Sequence, residues 1–270
     1  MEQRGMNERI RKLRALSVNT PPHIDMERAK IMTETYRRDE GVLSVPQLRA
    51  QALKDYFSQK TLYLGEGELI VGEKGDSPQG APTFPELCCH SVEDMRLMNE
   101  RELIRFQVTP EDMALQEKVM IPFWKERCIR SRIFRQMTPE WKKAYECGIF
   151  TEFMEQRGPG HTVGSSKIYE KGLLDYQRDI QEAIDRLDFF QDPHALERKE
   201  ELEGMYTACE ALMILAARYS AYARELAEQE GNAQRRVELL QIAENCASCR
   251  RIARRHTGRR CRCIGSSIWP

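Results

Sequence analysis

One histidine lies in a loop built almost entirely of glycine and proline. Residues 158–164 read Gly-Pro-Gly-His-Thr-Val-Gly, so neither a regular helix nor a regular strand is expected around His161. Glycine lets a backbone approach a ligand closely, and proline stiffens the loop. An imidazole presented in this way can donate a hydrogen bond to an anion or transfer a proton near neutral pH. The residues alone leave two interpretations open: His161 contacts a ligand, or it only ties the loop to a neighbouring carbonyl.

An apolar segment precedes this loop, and a helical pattern follows it. Residues 148–154 read Gly-Ile-Phe-Thr-Glu-Phe-Met, and their second aromatic residue is Phe153. Residues 167–187 repeat apolar side chains at helical spacing. The loop is therefore predicted to join an apolar segment to a helix.

Most of the remaining chain is predicted to be helical. Thr109, Thr138 and Asp192 each stand directly before a proline, which is typical of a capping residue followed by the first helical position. Asp25 is predicted to cap another helix. The predicted helices span residues 1–20, 25–38, 46–59, 110–136 with an interruption near Pro122, 193–229 and 231–244.

The longest predicted helix, residues 193–229, carries a broad apolar stripe. Core packing explains its tyrosines better than a platform for stacking nucleic-acid bases does. The residues predicted to face the core recur at threes and fours: Met205, Cys209, Leu212, Ala216 and Tyr219.

Strands are predicted only in one short region. Residues 61–64 and 68–71 are apolar runs broken by glycine, which indicates two short strands or extended segments. Residues 73–90 are rich in Gly, Pro and Ser and predict an ordered loop at best. Cys88, Cys89 and His90 have metal-ligand chemistry, but adjacent cysteines cannot easily share one tetrahedral ion, so no metal is predicted there.

The bulk composition is that of a globular protein. Charged residues make up 31% and hydrophobic residues 41% of the 270 residues, and no apolar run is long enough for a transmembrane span. The first residues lack the apolar core of a secretory signal, so a cytoplasmic location is expected. The nine cysteines, an odd number, are expected to be reduced thiols. Cys128 and Cys147 lie in helical patterns and are predicted to have structural roles.

The last 25 residues differ in character from the rest. Residues 246–270 contain seven arginines and no acidic residue, so we divide the chain at 245. Three interpretations compete: a basic arm that binds RNA, a stretch translated in an altered reading frame, or a zinc site. The altered frame is favoured, because Arg/Cys-rich sequence is common when a GC-rich gene is read out of frame. The zinc site would use Cys246, Cys249, Cys261 and Cys263, with His256 as a further candidate.

Several short runs, in this order, resemble the N-terminal part of the glycyl radical enzymes, the pyruvate formate-lyase-like superfamily. The run Phe-Thr-Glu-Phe at 150–153, followed by Pro-Gly-His at 159–161, is most similar to the branch that dehydrates trans-4-hydroxy-L-proline. The other matching runs are residues 8–14, 24–30 with 33–35, 67–72 (Gly-Glu-Leu-Ile-Val-Gly), 81–86 (Ala-Pro-Thr-Phe-Pro-Glu) and 168–172 (Ile-Tyr-Glu-Lys-Gly).

This resemblance implies a fold and a chemistry. The chain would be mainly α with a few short strands, as the N-terminal part of a ten-stranded α/β barrel that it does not complete. In the family, a glycyl radical passes to a cysteine, whose thiyl radical abstracts hydrogen from the substrate. A separate radical S-adenosylmethionine activating enzyme installs the radical. No glycine here is followed by Tyr or Phe, as in the radical motif, and no cysteine context matches the catalytic loop.

The resemblance therefore predicts a fragment without catalytic residues or cofactor of its own, which contributes one side of a substrate pocket. By the same resemblance, His161 would contact the carboxylate or hydroxyl side of trans-4-hydroxy-L-proline or a similar small polar substrate. Phe153 would pack on its ring, and Thr162 is a weaker candidate. The expected partners are the activating enzyme and a second copy in a homodimer, with no membrane and no nucleic acid.

Other functions stay open at this stage. Within the superfamily they are a formate acetyltransferase-like enzyme, a glycerol or propanediol dehydratase and a choline lyase. Outside it, the chain could be a non-catalytic helical interaction protein that buries its exposed surface against a partner. A zinc- or RNA-binding protein defined by its tail is the third class.

Overall fold

The computed structural model describes residues 7–150 and 170–248, which are mainly helical. Within this part of the chain, no helix combines the length and apolar character needed to cross a membrane. The two short strands are β1, His23–Asp25, and β2, Gly80–Pro82. The helices are α1 Glu8–Asn19, α2 Glu27–Asp39, α3 Val45–Gln59, α4 Val92–Glu100, α5 Pro110–Leu115, α6 Ile121–Trp124, α7 Ile129–Gln136, α8 Pro139–Glu146, α9 Leu173–Asp185, α10 Ala195–Gln229 and α11 Ala233–Ser248.

The strands do not lie where strands were predicted. β1 and β2 pair in parallel, with His23 opposite Gly80, and β2 falls inside the segment predicted to be a loop. Residues 61–64 and 68–71 have no regular secondary structure, so of the two predicted alternatives, short strands or extended segments, the strands are wrong. The guanidinium of Arg235 donates to the carbonyls of Gly65 and Glu68 at 2.9 and 2.7 Å. The Arg235 side chain thus makes hydrogen bonds to backbone carbonyls that would otherwise need a neighbouring strand.

The first of two hydrophobic cores lies between α3, α10 and α11, and small residues let these helices approach closely. A Cβ atom on Gly204 of α10 would lie only 3.0 Å from the carbonyl oxygen of Pro46 in α3. Ala211, Ala223 and Tyr219 continue the buried face of α10. The predicted stripe is confirmed at Tyr219 but wrong at Met205, which is 52% exposed. Where α10 lies closest to α3, only small side chains fit between the two helices.

The second core gathers β1, α2, α4 and α6. Its largest fully buried side chains are Met95 and Met120, and Trp124 is almost completely buried beside them. The indole Nε1 of Trp124 donates to Thr33 Oγ1 at 2.7 Å, so its polar edge is satisfied. Helix α2 contributes Ala29 to this core and Ile31 to the first, and therefore connects the two.

The helix predicted for residues 110–136 is divided into three. After α5, a π-helical turn at Gln116–Met120 leads into α6, which contains Pro122. A proline has no backbone N–H and cannot donate a helical hydrogen bond. The wider π-helical turn before it accommodates this loss. The chain breaks again at residues 125–128 before α7 begins. The predicted interruption is confirmed, and the second break was not foreseen.

Of the four helix starts predicted from capping residues, two are correct. Asp25 does not cap α2, whose N-cap is Met26 without a side-chain hydrogen bond. Thr109 Oγ1 accepts from the backbone of Asp112 at 3.1 Å, and Thr138 Oγ1 accepts from Trp141 at 3.4 Å. The predicted start after Asp192 is wrong by two residues, since Asp192 closes a turn and α10 begins at Ala195. Helix α11 also extends beyond the predicted end at 244.

Candidate functional site

The two predicted substrate-binding residues, His161 and Phe153, lie outside the described residues, as does Thr162. The structure describes the elements on both sides of them. Residues up to 150 lead into this segment, and residues from 170 lead out of it. We call these two flanking elements the supports of the candidate site, and the geometry described below is theirs. The roles of His161 and Phe153 stay predictions.

The support before the segment is an aromatic cluster on the α7–α8 hairpin. The rings of Phe134 and Tyr145 meet edge to face with centroids 4.8 Å apart, and the Arg130 guanidinium lies 4.4 Å above Phe134. Arg130 also donates to the Tyr145 hydroxyl at 3.1 Å. Phe150, the last described residue before the segment, contacts Trp141 and Tyr145 with centroids 5.2 and 5.8 Å apart. The chain enters the candidate site from a packed position.

This hairpin is attached to the body through the start of α7. The backbone N–H groups of Ile129 and Arg130 donate to the carbonyls of Glu86 and Leu87, each at 3.0 Å. These are donors that the first turn of a helix leaves unsatisfied. The Glu86 carboxylate in turn pairs with Arg28 of α2 at 2.5 Å. A continuous set of hydrogen bonds therefore runs from the second core to the aromatic cluster.

The support after the segment is the N-terminus of α9. The backbone N–H of Gly172 donates to the buried carboxylate of Asp175 at 2.9 Å, which caps the helix. Lys171 forms an ion pair with Asp179 one turn further along. Helix α9 packs against α10, the longest element of the first core. The chain thus leaves the candidate site on a second fixed element.

Burial works against the reactivity of two of the described cysteines. All six of them are free thiols, as predicted. Burial raises the pKa of Cys89 to about 11 and also raises that of Cys209, whereas a reactive thiol needs a lowered pKa. Cys128 is buried at the start of α7, in agreement with its predicted structural role, but Cys147 is exposed after α8, which contradicts that role.

Metal-ligand chemistry is not assembled in residues 7–150 or 170–248. These ranges contain no group of three or more His, Cys, Asp or Glu side chains placed to hold a metal ion. Cys88, Cys89 and His90 therefore have no completed ligand set among the described residues. The sulfur of Cys246 is buried in the first core, among the apolar side chains of α10 and α11.

Sequence reasoning did not find the polar residues that hold these supports. Arg28 is one such residue, and the available signal was a charged side chain among the apolar residues of α2; in the structure it is only 9% exposed. Lys60 is a second buried charged residue that was not foreseen: its ammonium donates to the carbonyls of Glu73 and Lys74 at 2.5 and 3.3 Å. Burial lowers the pKa of Lys60. Arg28 is thus linked to the hairpin before the segment, and Lys60 holds the loop around residues 73 and 74.

Comparison with known proteins assigns the family. A model described as pyruvate formate lyase-like matches residues 6–254, nearly the whole chain. The chain belongs to the pyruvate formate lyase-like family. That match runs past the boundary predicted at 245, and the division of the chain there stays a prediction.

Curated members of this family resemble the chain to different degrees. The chain is 51% identical over 243 residues to trans-4-hydroxy-L-proline dehydratase from Clostridioides difficile, and the match covers 90% of this chain and 31% of that relative. It is 27% identical to isethionate sulfite-lyase from Nitratidesulfovibrio vulgaris, with 90% and 31% covered. The chain therefore spans about a third of the length of these pyruvate formate lyase-like relatives.

Solved structures of the family agree with this fold. The Clostridioides difficile hydroxyproline dehydratase, solved with trans-4-hydroxy-L-proline bound, matches with a TM-score of 0.85 over 90% of this chain and 31% of its own. The glycerol dehydratase from Clostridium butyricum matches with a TM-score of 0.83 at 26% identity, over 93% and 32%. A glycyl radical enzyme from Archaeoglobus fulgidus gives 0.75 at 28% identity, over 89% and 31%. The predicted mainly helical class with few strands is confirmed.

Proposed function

We propose that this chain is the substrate-holding portion of a glycyl radical dehydratase that acts on trans-4-hydroxy-L-proline. The observation that carries the proposal is the 51% identity to the hydroxyproline dehydratase over 90% of the chain. The sulfite-lyase is 27% identical and a probable dehydratase from Escherichia coli is 29% identical. If this chain acted on another substrate, we would not expect its sequence identity to the hydroxyproline dehydratase to exceed its identity to the other relatives so clearly.

In this proposal His161 and Phe153 recognise the substrate. The imidazole of His161 donates a hydrogen bond to the carboxylate or to the hydroxyl of the bound amino acid, and the Phe153 ring packs on the pyrrolidine. The described supports favour such a role, because a recognition residue needs a fixed backbone on both sides. The aromatic cluster fixes one side and the α9 N-terminus fixes the other.

The reaction would remove water from trans-4-hydroxy-L-proline and leave 1-pyrroline-5-carboxylate. A glycyl radical installed by a radical S-adenosylmethionine activating enzyme supplies the hydrogen-abstraction chemistry. The radical glycine and the hydrogen-abstracting cysteine would lie in the part of the longer dehydratase that this chain does not cover. The part of this chain is to bind and orient the amino acid and to exclude water from it.

A domain exchange tests the proposal. Residues 1–245 replace the matched third of the Clostridioides difficile dehydratase, and a control chimera carries the corresponding third of the glycerol dehydratase, which is 26% identical to this chain. Both are activated anaerobically and assayed for loss of trans-4-hydroxy-L-proline. We expect the first chimera to retain kcat/KM within about tenfold of the parent, and the control to lose about a hundredfold or more. Equal activity of the two chimeras, or an inactive first chimera, would contradict the proposal.

A further inference from the structure

Two adjacent phenylalanines project from the loop between α9 and α10. Phe190 is 102% exposed and Phe189 is 54% exposed, and Leu196 on the first turn of α10 is 60% exposed. Covering one such side chain stabilises a protein by about 1.5–3 kcal/mol. We call Phe189, Phe190 and Leu196 the hairpin tip. Single exposed apolar residues are ordinary, but two adjacent exposed aromatics, one of them fully exposed, indicate a contact surface.

The loop that carries these side chains is held in one conformation. The carboxylate of Asp188 accepts from the backbone N–H groups of Phe190 and Gln191 at 2.9 and 3.1 Å. The carboxylate of Asp192 accepts from the N–H of His194 at 2.9 Å and pairs with Arg198 at 2.8 Å. Because the loop is already ordered, docking the tip would cost little further conformational entropy.

The helices behind the tip are also fixed. Helix α9 packs against α10, and α10 packs against both α3 and α11. The tip therefore stands at the end of a rigid hairpin that leads back to the first core. It cannot fold back to bury its own aromatics without breaking these contacts.

The surface area of the tip limits what can cover it. Two phenylalanines bury about 150–250 Å² each, whereas a stable complex buries about 800 Å² on each partner. The tip alone is therefore too small to hold a second copy of this chain. It fits a pocket that belongs to a larger contact.

The longer relatives contain the additional residues that could form such a contact. The Clostridioides difficile dehydratase superposes on 90% of this chain with a TM-score of 0.85, and this chain accounts for only 31% of it. We propose that the hairpin tip inserts into an apolar pocket on the part of the dehydratase fold that this chain does not match. The docked tip anchors α9, and through α9 the residues that follow the candidate substrate-binding segment.

Thermal unfolding of two proteins tests this inference. One is the 270-residue chain, and the other is the chimera in which residues 1–245 replace the matched third of the dehydratase. The double substitution Phe189→Ser and Phe190→Ser is compared with Gln191→Ser, an exposed polar residue of the same loop. We expect the double variant to lower the Tm of the chimera by about 2–4 °C and that of the chain alone by less than about 1 °C. Gln191→Ser should change neither.

Four results would overturn the inference. They are an unchanged Tm of the double-variant chimera, an equal loss in the chain alone, and a wild-type chimera that does not unfold cooperatively. The fourth is a dimer of the 270-residue chain in light scattering that Phe190→Ser dissociates, because a second copy would then occupy the tip. The Tm measurement needs no substrate, so it stands or fails separately from the proposed reaction.

Discussion

Arg28 and Glu86 form a two-pronged ion pair between α2 and the loop that receives α7. The two guanidinium nitrogens lie 2.5 and 3.2 Å from the two carboxylate oxygens, although the residues are 58 positions apart in the chain. Arg28 also donates to the carbonyl of Thr83 at 3.2 Å and stacks on the Phe84 ring at 4.0 Å. This pair connects the second core to the hairpin that precedes the candidate site.

Replacing Arg28 by alanine should destabilise the protein strongly. The two side chains are only 10% and 17% exposed, so removing the guanidinium leaves a carboxylate that is nearly buried and unpaired. We expect the free energy of unfolding to fall by about 3 kcal/mol in urea titrations. The matched control is Arg96→Ala, whose pair with Glu93 is 51% and 76% exposed and should contribute less than about 0.5 kcal/mol. Equal losses in the two variants would show that burial of the Arg28 pair has no special effect.

The close approach of α10 to α3 predicts a second stability effect. A side chain at position 204 would meet the backbone of Pro46 at 3.0 Å, and a backbone segment cannot move aside as a flexible side chain can. Gly204→Val should therefore cost about 2–3 kcal/mol of unfolding free energy. Gly231 has open space around it, and Gly231→Val should cost less than about 1 kcal/mol. Denaturant midpoints that do not separate these two variants would argue against the helix packing described above.

Tyr219 should make stability depend on pH in the alkaline range. Burial raises its pKa to about 12 from an ordinary value of 10.0. The unfolded chain therefore loses the phenolic proton first, and stability present below pH 10 is lost as the pH rises toward 12. The loss should reach about 2–3 kcal/mol relative to Tyr219→Phe, which has no proton to lose. Unfolding free energies of wild type and variant that stay parallel from about pH 9 to about pH 12 would contradict this assignment.

Local chemistry in the sequence located much of the fold. Thr109 and Thr138 cap their helices because a cap depends on residues within three positions of itself. The start of the long helix near Asp192 is displaced by two residues for a related reason. The Asp192 carboxylate caps its own turn instead of the helix that follows.

Features that depend on distant partners were not foreseen. The carbonyl of Gly65 is satisfied by Arg235, 170 positions away, so an apolar run that looked like a strand needs no strand partner. The close approach at Gly204 of α10 depends on Pro46 of α3, which no pattern within α10 indicates. The charged residue Arg28 on an otherwise buried helix face was a usable signal for a buried partner, although it did not identify Glu86.

The candidate site was named by resemblance and not by pattern. A glycine-rich loop with one histidine does not specify a ligand, and the similar order of short motifs supplied both the substrate class and the residues. The structure contributes the supports of that loop. The contacts of His161 stay a prediction, since it lies outside the described residues.

The most direct test of the account is the effect of His161→Ala in the active chimera with the Clostridioides difficile dehydratase. The matched control is His194→Ala, a histidine in the turn before α10. Losing a hydrogen bond to the substrate carboxylate or hydroxyl should lower kcat/KM for trans-4-hydroxy-L-proline by about 10- to 100-fold. The control should stay within about twofold of the parent chimera. An unchanged kcat/KM in His161→Ala would contradict the claim that this chain holds the substrate.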